Sequence, residues 1–238
     1  MNPLIAKLER VAILTDDDHE AITAACRDVH RVPANKDIIR EGDKPDHVHL
    51  VLDGWAARYK DLPGGTRQII AYLIPGDFCD LHVTILSEMD HGIFALTPVD
   101  VAYIPRTAMI QLTLDRPSLT RALWWATLVD EAVLREWIVN LGRRDALERI
   151  AHLLCEMHFR MKNIGLVHDD RFDLPLTQDE IADTVGLTAV HTNRMLQTLR
   201  SDGLLTLHGR VLSILDIDRL RQLAGFNPNY LHATPVRQ

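Results

Sequence analysis

The sequence predicts an α+β fold in three parts: an N-terminal antiparallel β-roll of jelly-roll type, one long helix, and a C-terminal winged helix-turn-helix. Three observations predict it. From Arg31 to about Pro105 short β-rich runs alternate with glycine-marked turns. Thr107 to Leu141 is a helical block whose apolar residues recur at 3-4-3-4 spacing. Leu174 to Arg200 reads as two short helices around Gly186, and Gly203 to Ile217 follows as two strands joined at His208-Gly209-Arg210.

In chain order, residues 1 to about 30 read as short helices. Ile13, Leu14, Ile22, Ala25 and Val29 recur at helical spacing, and Asp16-Asp17-Asp18 suits a helix start. Strands are expected at Asp37–Arg40, His47–Leu52, Ala56–Lys60, Arg67–Leu73 and Asp100–Ile104, with Pro63-Gly64-Gly65 as a hairpin loop. Asp77 to Thr97 interrupts them, and Leu81, Ile85 and Leu86 suit one helical turn there. An insertion of this kind inside a roll is a place to hold a small ligand.

In the long helix Leu119, Ala122, Ala126, Val129 and Val133 form one stripe, and Leu123, Trp124, Leu128 and Ile138 add apolar surface elsewhere around it. A helix apolar on more than one face must be covered on more than one side. One side suits the roll and the other a second copy of the chain, in a coiled-coil-like dimer. Gly142 to Asp145 reads as a hinge, Ala146 to about Met161 as another helix, and Lys162–Asp173 as a polar loop. The expected organisation is a β-roll sensor at 1–115, a dimerisation helix at 116–142, a winged helix-turn-helix domain at 143–225 and a tail at 226–238 without periodicity.

Within the helix pair, Thr177 and Glu180 have capping-box spacing. Ile181, Ala182 and Val185 share one face, Gly186 breaks the run, and Thr188 suits the N-cap of a second helix from Ala189 to about Ser201. Thr192, Met195, Leu196 and Leu199 are its expected inward stripe. Val190, His191, Asn193, Arg194 and Gln197 are left facing out, a set rich in groups that bond to base edges. With Thr188 at the cap and Arg210 at the hairpin tip, they are the candidate DNA-contacting residues. The other reading of the same pattern is a small-molecule-binding module whose winged helix contacts protein rather than DNA.

Charge is compatible with DNA reading despite a net −7. From Arg143 onward 12 basic and 12 acidic residues balance, so the deficit lies in the first 142 residues. No apolar run approaches the roughly 20 residues of a membrane span, and the N-terminus lacks a signal-peptide pattern, so no membrane association and a cytoplasmic location are expected. Cys26, Cys79 and Cys155 are far apart and read as buried thiols. With no phosphate loop, metal-spaced histidine pair or nucleophile motif in context, neither catalytic residues nor a metal site are expected.

The order of parts resembles the Crp/Fnr family of bacterial transcription regulators over nearly the whole chain. The matching landmarks are Arg40-Glu41-Gly42-Asp43, Val51–Gly54, Ile74–Phe78, Arg149-Ile150-Ala151, and Val185–Thr188 with Asn193-Arg194. The resemblance implies a homodimer on a palindromic operator in double-stranded DNA, with RNA polymerase as a further partner. The cyclic-AMP-binding members follow Gly-Asp-Phe with Gly-Glu-Leu and later Arg-Ser. This chain has Asp80-Leu81 and His91-Gly92 at those places, so cyclic-AMP independence is expected. Asp80, His82, His91 and Arg135 are the candidate effector contacts, with a Glu131–Arg135 ion pair as the alternative for the last. No cofactor is expected: only Cys26 lies in the first 30 residues, against the iron–sulfur cluster of oxygen-sensing members, and Cys79 with His82 sit in the haem-ligand stretch of carbon-monoxide sensors at a different spacing, so a haem-sensing module is the alternative that the resemblance implies. On the recognition helix Arg194 keeps a family reader. Ala189 and Val190 stand where an arginine or valine and then a glutamate are usual, so an altered half-site is expected.

Overall fold

The computed structural model describes residues 2–233 and divides into two compact units, one over 2–130 and one over 131–232.

The first unit opens with α1 (Pro3–Leu8) and α2 (Asp16–Ala25). A reciprocal Thr15–Asp18 capping box starts α2, satisfying two otherwise orphaned N–H groups. The strands β1 (Val29–Val32), β2 (Asp37–Ile39), β3 (His47–Asp53), β4 (Ala56–Asp61), β5 (Arg67–Leu73), β6 (Gly92–Ala95) and β7 (Val99–Pro105) form two antiparallel sheets, ordered β1-β7-β3 and β2-β6-β4-β5. Leu50, Val101 and Ile104 of one sheet and Ile39, Leu73 and Ile93 of the other share one apolar core. A 3-10 turn at Leu81–Thr84 sits between β5 and β6. Lys7 reaches from α1 to Asp77 at 2.5 Å, and Asp77 also accepts the Ile74 N–H, so the N-terminal helix is pinned to the Ile74–Asp77 turn. Next come α3 (Arg106–Asp115) and the long α4 (Pro117–Arg143), whose Leu119, Ala122 and Leu123 join this core.

The second unit is centred on α5 (Ala146–Asn163), opened by an Asp145–Glu148 capping box. The strand β8 (Arg171–Asp173), α6 (Gln178–Val185), α7 (Ala189–Ser201), β9 (Leu205–His208), β10 (Val211–Ile214) and α8 (Ile217–Ala224) follow. The three strands pair antiparallel in the order β8-β10-β9. No helix is long and apolar enough to cross a membrane among the described residues.

The structure departs from the sequence expectations in places that share a cause. Val29 starts a strand rather than ending a helical run, and Ile13 is exposed. The strand β1 shows no inward-outward alternation and β6 is buried throughout, so neither carries a period-2 signal. Ile85 and Leu86 lie outside the 3-10 turn with exposed side chains. In α4 the Leu119, Ala122, Ala126 and Val133 stripe is buried and Leu123 with it; Trp124, Leu128 and Ile138 remain exposed. The hinge expected at Gly142–Asp145 is shorter, because α4 runs through Arg143 and α5 begins at Ala146.

Two glycines separate required from incidental backbone freedom. Gly54 has φ +82°, and a Cβ there would meet the Pro98 carbonyl at 2.4 Å; Gly64 has open space. Gly54→Ala is expected to lower unfolding stability by about 1–3 kcal/mol, whereas Gly64→Ala is neutral or stabilising by about 0.5 kcal/mol, in urea denaturation.

Candidate nucleic-acid interface

The local chemistry fixes each end of the helix pair. Thr177 Oγ1 accepts the Glu180 N–H at 3.2 Å and Glu180 accepts the Thr177 N–H at 2.6 Å, the reciprocal box that opens α6. Gly186, at φ +67°, ends α6 in the left-handed conformation that favours glycine. Thr188 caps α7 by accepting the His191 N–H at 3.2 Å. Arg149 of α5 donates from Nη1 to the Val185 carbonyl at 3.1 Å and from Nε to the Arg144 carbonyl at 2.9 Å. A single guanidinium thus ties the end of α6 to the start of α5. Arg149 entered the sequence reading only as part of a landmark; its bonding could not be read there because Val185 is 36 residues away.

Helix α7 is two-sided. Thr192, Leu196 and Leu199 are buried, with Met195 half-buried. Val190, Arg194, Gln197 and Ser201 are exposed, and their 4-3-4 spacing makes one continuous stripe along the helix. His191 and Asn193 flank the stripe and are half-buried rather than fully outward. Among the described residues the Arg194 and Gln197 side chains make no hydrogen bond or ion pair, so their donors are free for an external acceptor. Thr188 is exposed at the helix start. Arg210 is exposed at the β9–β10 turn, next to Gly209 at φ +61°, and its carbonyl accepts the Leu174 N–H at 2.7 Å.

The candidate effector residues have a different character. Asp80 is fully buried. One oxygen accepts the His49 N–H at 2.7 Å, and the other lies 2.6 Å from His49 Nδ1. His82 and His91 do come together, with ring centroids 5.6 Å apart. His91 Nδ1 is 2.6 Å from Asp90, so that nitrogen carries the hydrogen and Nε2 keeps a lone pair. Burial lowers the pKa of both imidazoles, which favours the neutral ring. Arg135 pairs with Glu131 at 2.8 Å one helical turn away on the exposed face of α4. Sequence reasoning did not single out Arg58, whose guanidinium donates to the carbonyls of Cys79 at 3.1 Å and Phe78 at 2.8 Å and to Asp130 at 3.1 Å. Among the described residues no group of three or more His, Cys, Asp or Glu side chains is placed to hold a metal ion.

The segment after α8, which shows no periodicity in the sequence, is built into the second unit. Phe226, Tyr230 and Leu231 are buried, and Tyr230 donates to Glu156 of α5 at 2.8 Å. Trp137 Nε1 donates to the same Glu156 oxygen at 3.2 Å. His152 lies among the rings of Trp137, Phe226 and Tyr230. Residues 234–238 of the expected tail lie outside the described residues.

Comparison with known proteins matches both halves. Residues 29–116 match the model of the cyclic nucleotide-binding domain, and residues 148–223 that of the Crp-like helix-turn-helix domain. The transcriptional activator protein FnrL of Cereibacter sphaeroides is 32% identical over 196 residues, which cover 81% of this chain and 78% of the relative. The chain belongs to the Crp/Fnr family. Accordingly it is a DNA-binding transcription regulator and not an enzyme. The nitrogen fixation regulation protein FixK of Bradyrhizobium diazoefficiens is 28% identical over 188 residues, covering 79% of this chain and 78% of that one. The solved structure of FixK2 from Bradyrhizobium japonicum superposes with a TM-score of 0.76 at 26% identity, covering 84% of this chain and 98% of that one. The α+β architecture expected from the sequence is therefore the family architecture.

The aromatic cluster gives the regulator a pH dependence of defined sign. Burial, with Arg144 adding to it, lowers the pKa of His152 to about 3, against about 6.5 in an unfolded chain. Above pH 6.5 both states are neutral there. Below it the unfolded chain takes up a proton that the folded chain refuses, so stability falls as pH drops from about 6.5 towards 3. From pH 7 to pH 5 this residue should cost about 2 kcal/mol, and His152→Phe should flatten the slope by that amount in urea unfolding at the two pH values.

Proposed function

We propose that this regulator acts as a homodimer that reads a palindromic operator without cyclic AMP, with α7 as the recognition helix. The observation that carries the reading is the exposed Val190–Arg194–Gln197 stripe with its unpaired donors. Arg194 is the guanine reader, in bidentate contact with O6 and N7. His191, Asn193 and Gln197 are further polar readers, and Thr188 and Arg210 contact phosphates on either side. A two-fold partner supplies the second half-site one helical turn away, about 34 Å. Support for the dimer comes from α4. Trp124 and Ile138 are 66% and 72% exposed, and with Leu128 and the Glu131–Arg135 pair they continue a 4-3-4-3 seam.

Cyclic-AMP independence is supported by the chemistry of the roll. A cyclic phosphate needs a free cation or hydrogen-bond donors. The Arg58 guanidinium is already committed to two carbonyls and Asp130, His91 offers a lone pair, and Asp80 is spent on His49. These residues do not fit the nucleotide. The chain also works without haem or an iron–sulfur cluster: Cys26 and Cys79 are buried, and burial raises their thiol pKa values, which disfavours the thiolate a metal needs. A cytoplasmic location and contact with RNA polymerase accompany this role.

Selection from a random pool of DNA duplexes, run with and without cyclic AMP, tests the reading. The same palindrome should emerge in both arms, and Arg194→Ala should weaken binding to it by about 1–3 kcal/mol and relax one base preference. Enrichment only with the nucleotide would overturn cyclic-AMP independence. An unchanged specificity for Arg194→Ala would overturn the docking of α7.

A further inference from the structure

The recognition stripe begins with an apolar residue. Val190 is 82% exposed in the first turn of α7, two residues after the Thr188 cap. Single exposed apolar residues are ordinary on protein surfaces, but this one differs in two ways. It is β-branched, so it lowers helix propensity, and its exposure returns no burial energy to the folded chain. It also lies in line with Arg194 and Gln197, whose side chains have no partner among the described residues. A face with free donors at two positions and bare methyl groups at the third is complementary to a major-groove edge that offers acceptors beside a methyl group. Of the bases, thymine alone presents one, at C5.

We infer that Val190 is a specificity-determining residue that packs its methyl groups on the C5-methyl of a thymine in each half-site. This rests on the reading of α7 as the recognition helix. Four residues of helix separate Val190 from Arg194, roughly 6 Å along the axis. Base pairs are spaced roughly 3.4 Å apart. The thymine therefore lies one or two base pairs from the guanine that Arg194 reads. The stiff χ1 of valine holds the methyl pair in place before contact, so little side-chain freedom is lost on binding. A position of this kind reads a methyl group rather than a hydrogen-bonding pattern.

The test removes the methyl group and nothing else. The probe is the duplex recovered from the random pool, with its thymines replaced one position at a time by deoxyuridine in both half-sites. Binding is followed by fluorescence anisotropy with the full-length protein. One thymine, one or two base pairs from the guanine that loses its preference in Arg194→Ala, should show a loss of about fourfold per half-site on replacement. Val190→Ala should show the same loss on the thymine duplex, and no further loss on the deoxyuridine duplex. Equal deoxyuridine penalties for wild type and Val190→Ala at every position would overturn the assignment, as would a recovered half-site with no thymine in that window. Failure to recover any duplex would be a separate outcome, overturning the DNA-reading role of α7 and this assignment with it. Val190 is exposed, so its substitution leaves the fold intact, and the thymine-to-deoxyuridine comparison does not respond to a purely structural change.

Discussion

The constraint on which the DNA-reading unit depends is the burial of α5 with polar groups inside it. Glu156, His152 and His158 are all essentially inaccessible. A buried polar group without a partner costs about 1–3 kcal/mol; Glu156 and His158 Nε2 are given partners, whereas the His152 ring is held by aromatic contacts and its nitrogens make no hydrogen bond among the described residues. Trp137 from α4 and Tyr230 from the C-terminal segment converge on one Glu156 oxygen, Arg160 lies 3.5 Å from the other, and Asp170 lies 2.9 Å from His158. Burial raises the pKa of Glu156, and these three partners oppose it. The last turns of α4, the loop before β8 and the chain end are thereby fixed to one helix. Arg144 extends the arrangement: it donates to Glu136 at 2.6 Å and to the Ala224 carbonyl at 3.0 Å. With Arg149 holding Val185, α6 and α7 are presented from a rigid support, as a reading head requires.

Most candidate polar groups of the roll are paired within the protein, whereas two on the outward face of α7 are not. In the roll Asp80 is paired with His49, His91 Nδ1 with Asp90, and Arg58 with two carbonyls and Asp130, while the buried Nε2 atoms of His82 and His91 have no hydrogen-bond partner among the described residues. On α7 the polar ends of Arg194 and Gln197 are left unsatisfied by the protein itself. Groups that are already paired resist a ligand, because each bond broken must be replaced. Free donors beside an exposed methyl face can turn towards a base edge without breaking a bond within the protein.

The reading head was legible from the sequence because its determinants are local. A capping box spans four residues, a left-handed glycine marks its own turn, and the inward residues of α7 repeat within 13 residues. The spacing of Val190, Arg194 and Gln197 gave the outward stripe as well. Direction was legible only approximately: His191 and Asn193, adjacent to the stripe, are half-buried. What the sequence hid depends on distant pairing. The identity of Asp80 invited a ligand role, but its partner His49 lies 31 residues away, and no periodicity connects them. Tyr230 and Leu231 follow Gly225 without a repeat, so the anchoring of the chain end could not be read either. The strands β1 and β6 escaped because one is largely exposed and the other wholly buried.

Hydroxyl-radical footprinting of the full-length protein on its selected duplex addresses the central claim most directly, since it reports where two reading heads sit on one DNA. Two symmetric windows of backbone protection are expected, with centres 10 to 10.5 base pairs apart, about 34 Å. A single protected window, or two windows at an unrelated separation, would contradict a two-fold dimer that places α7 in successive major grooves.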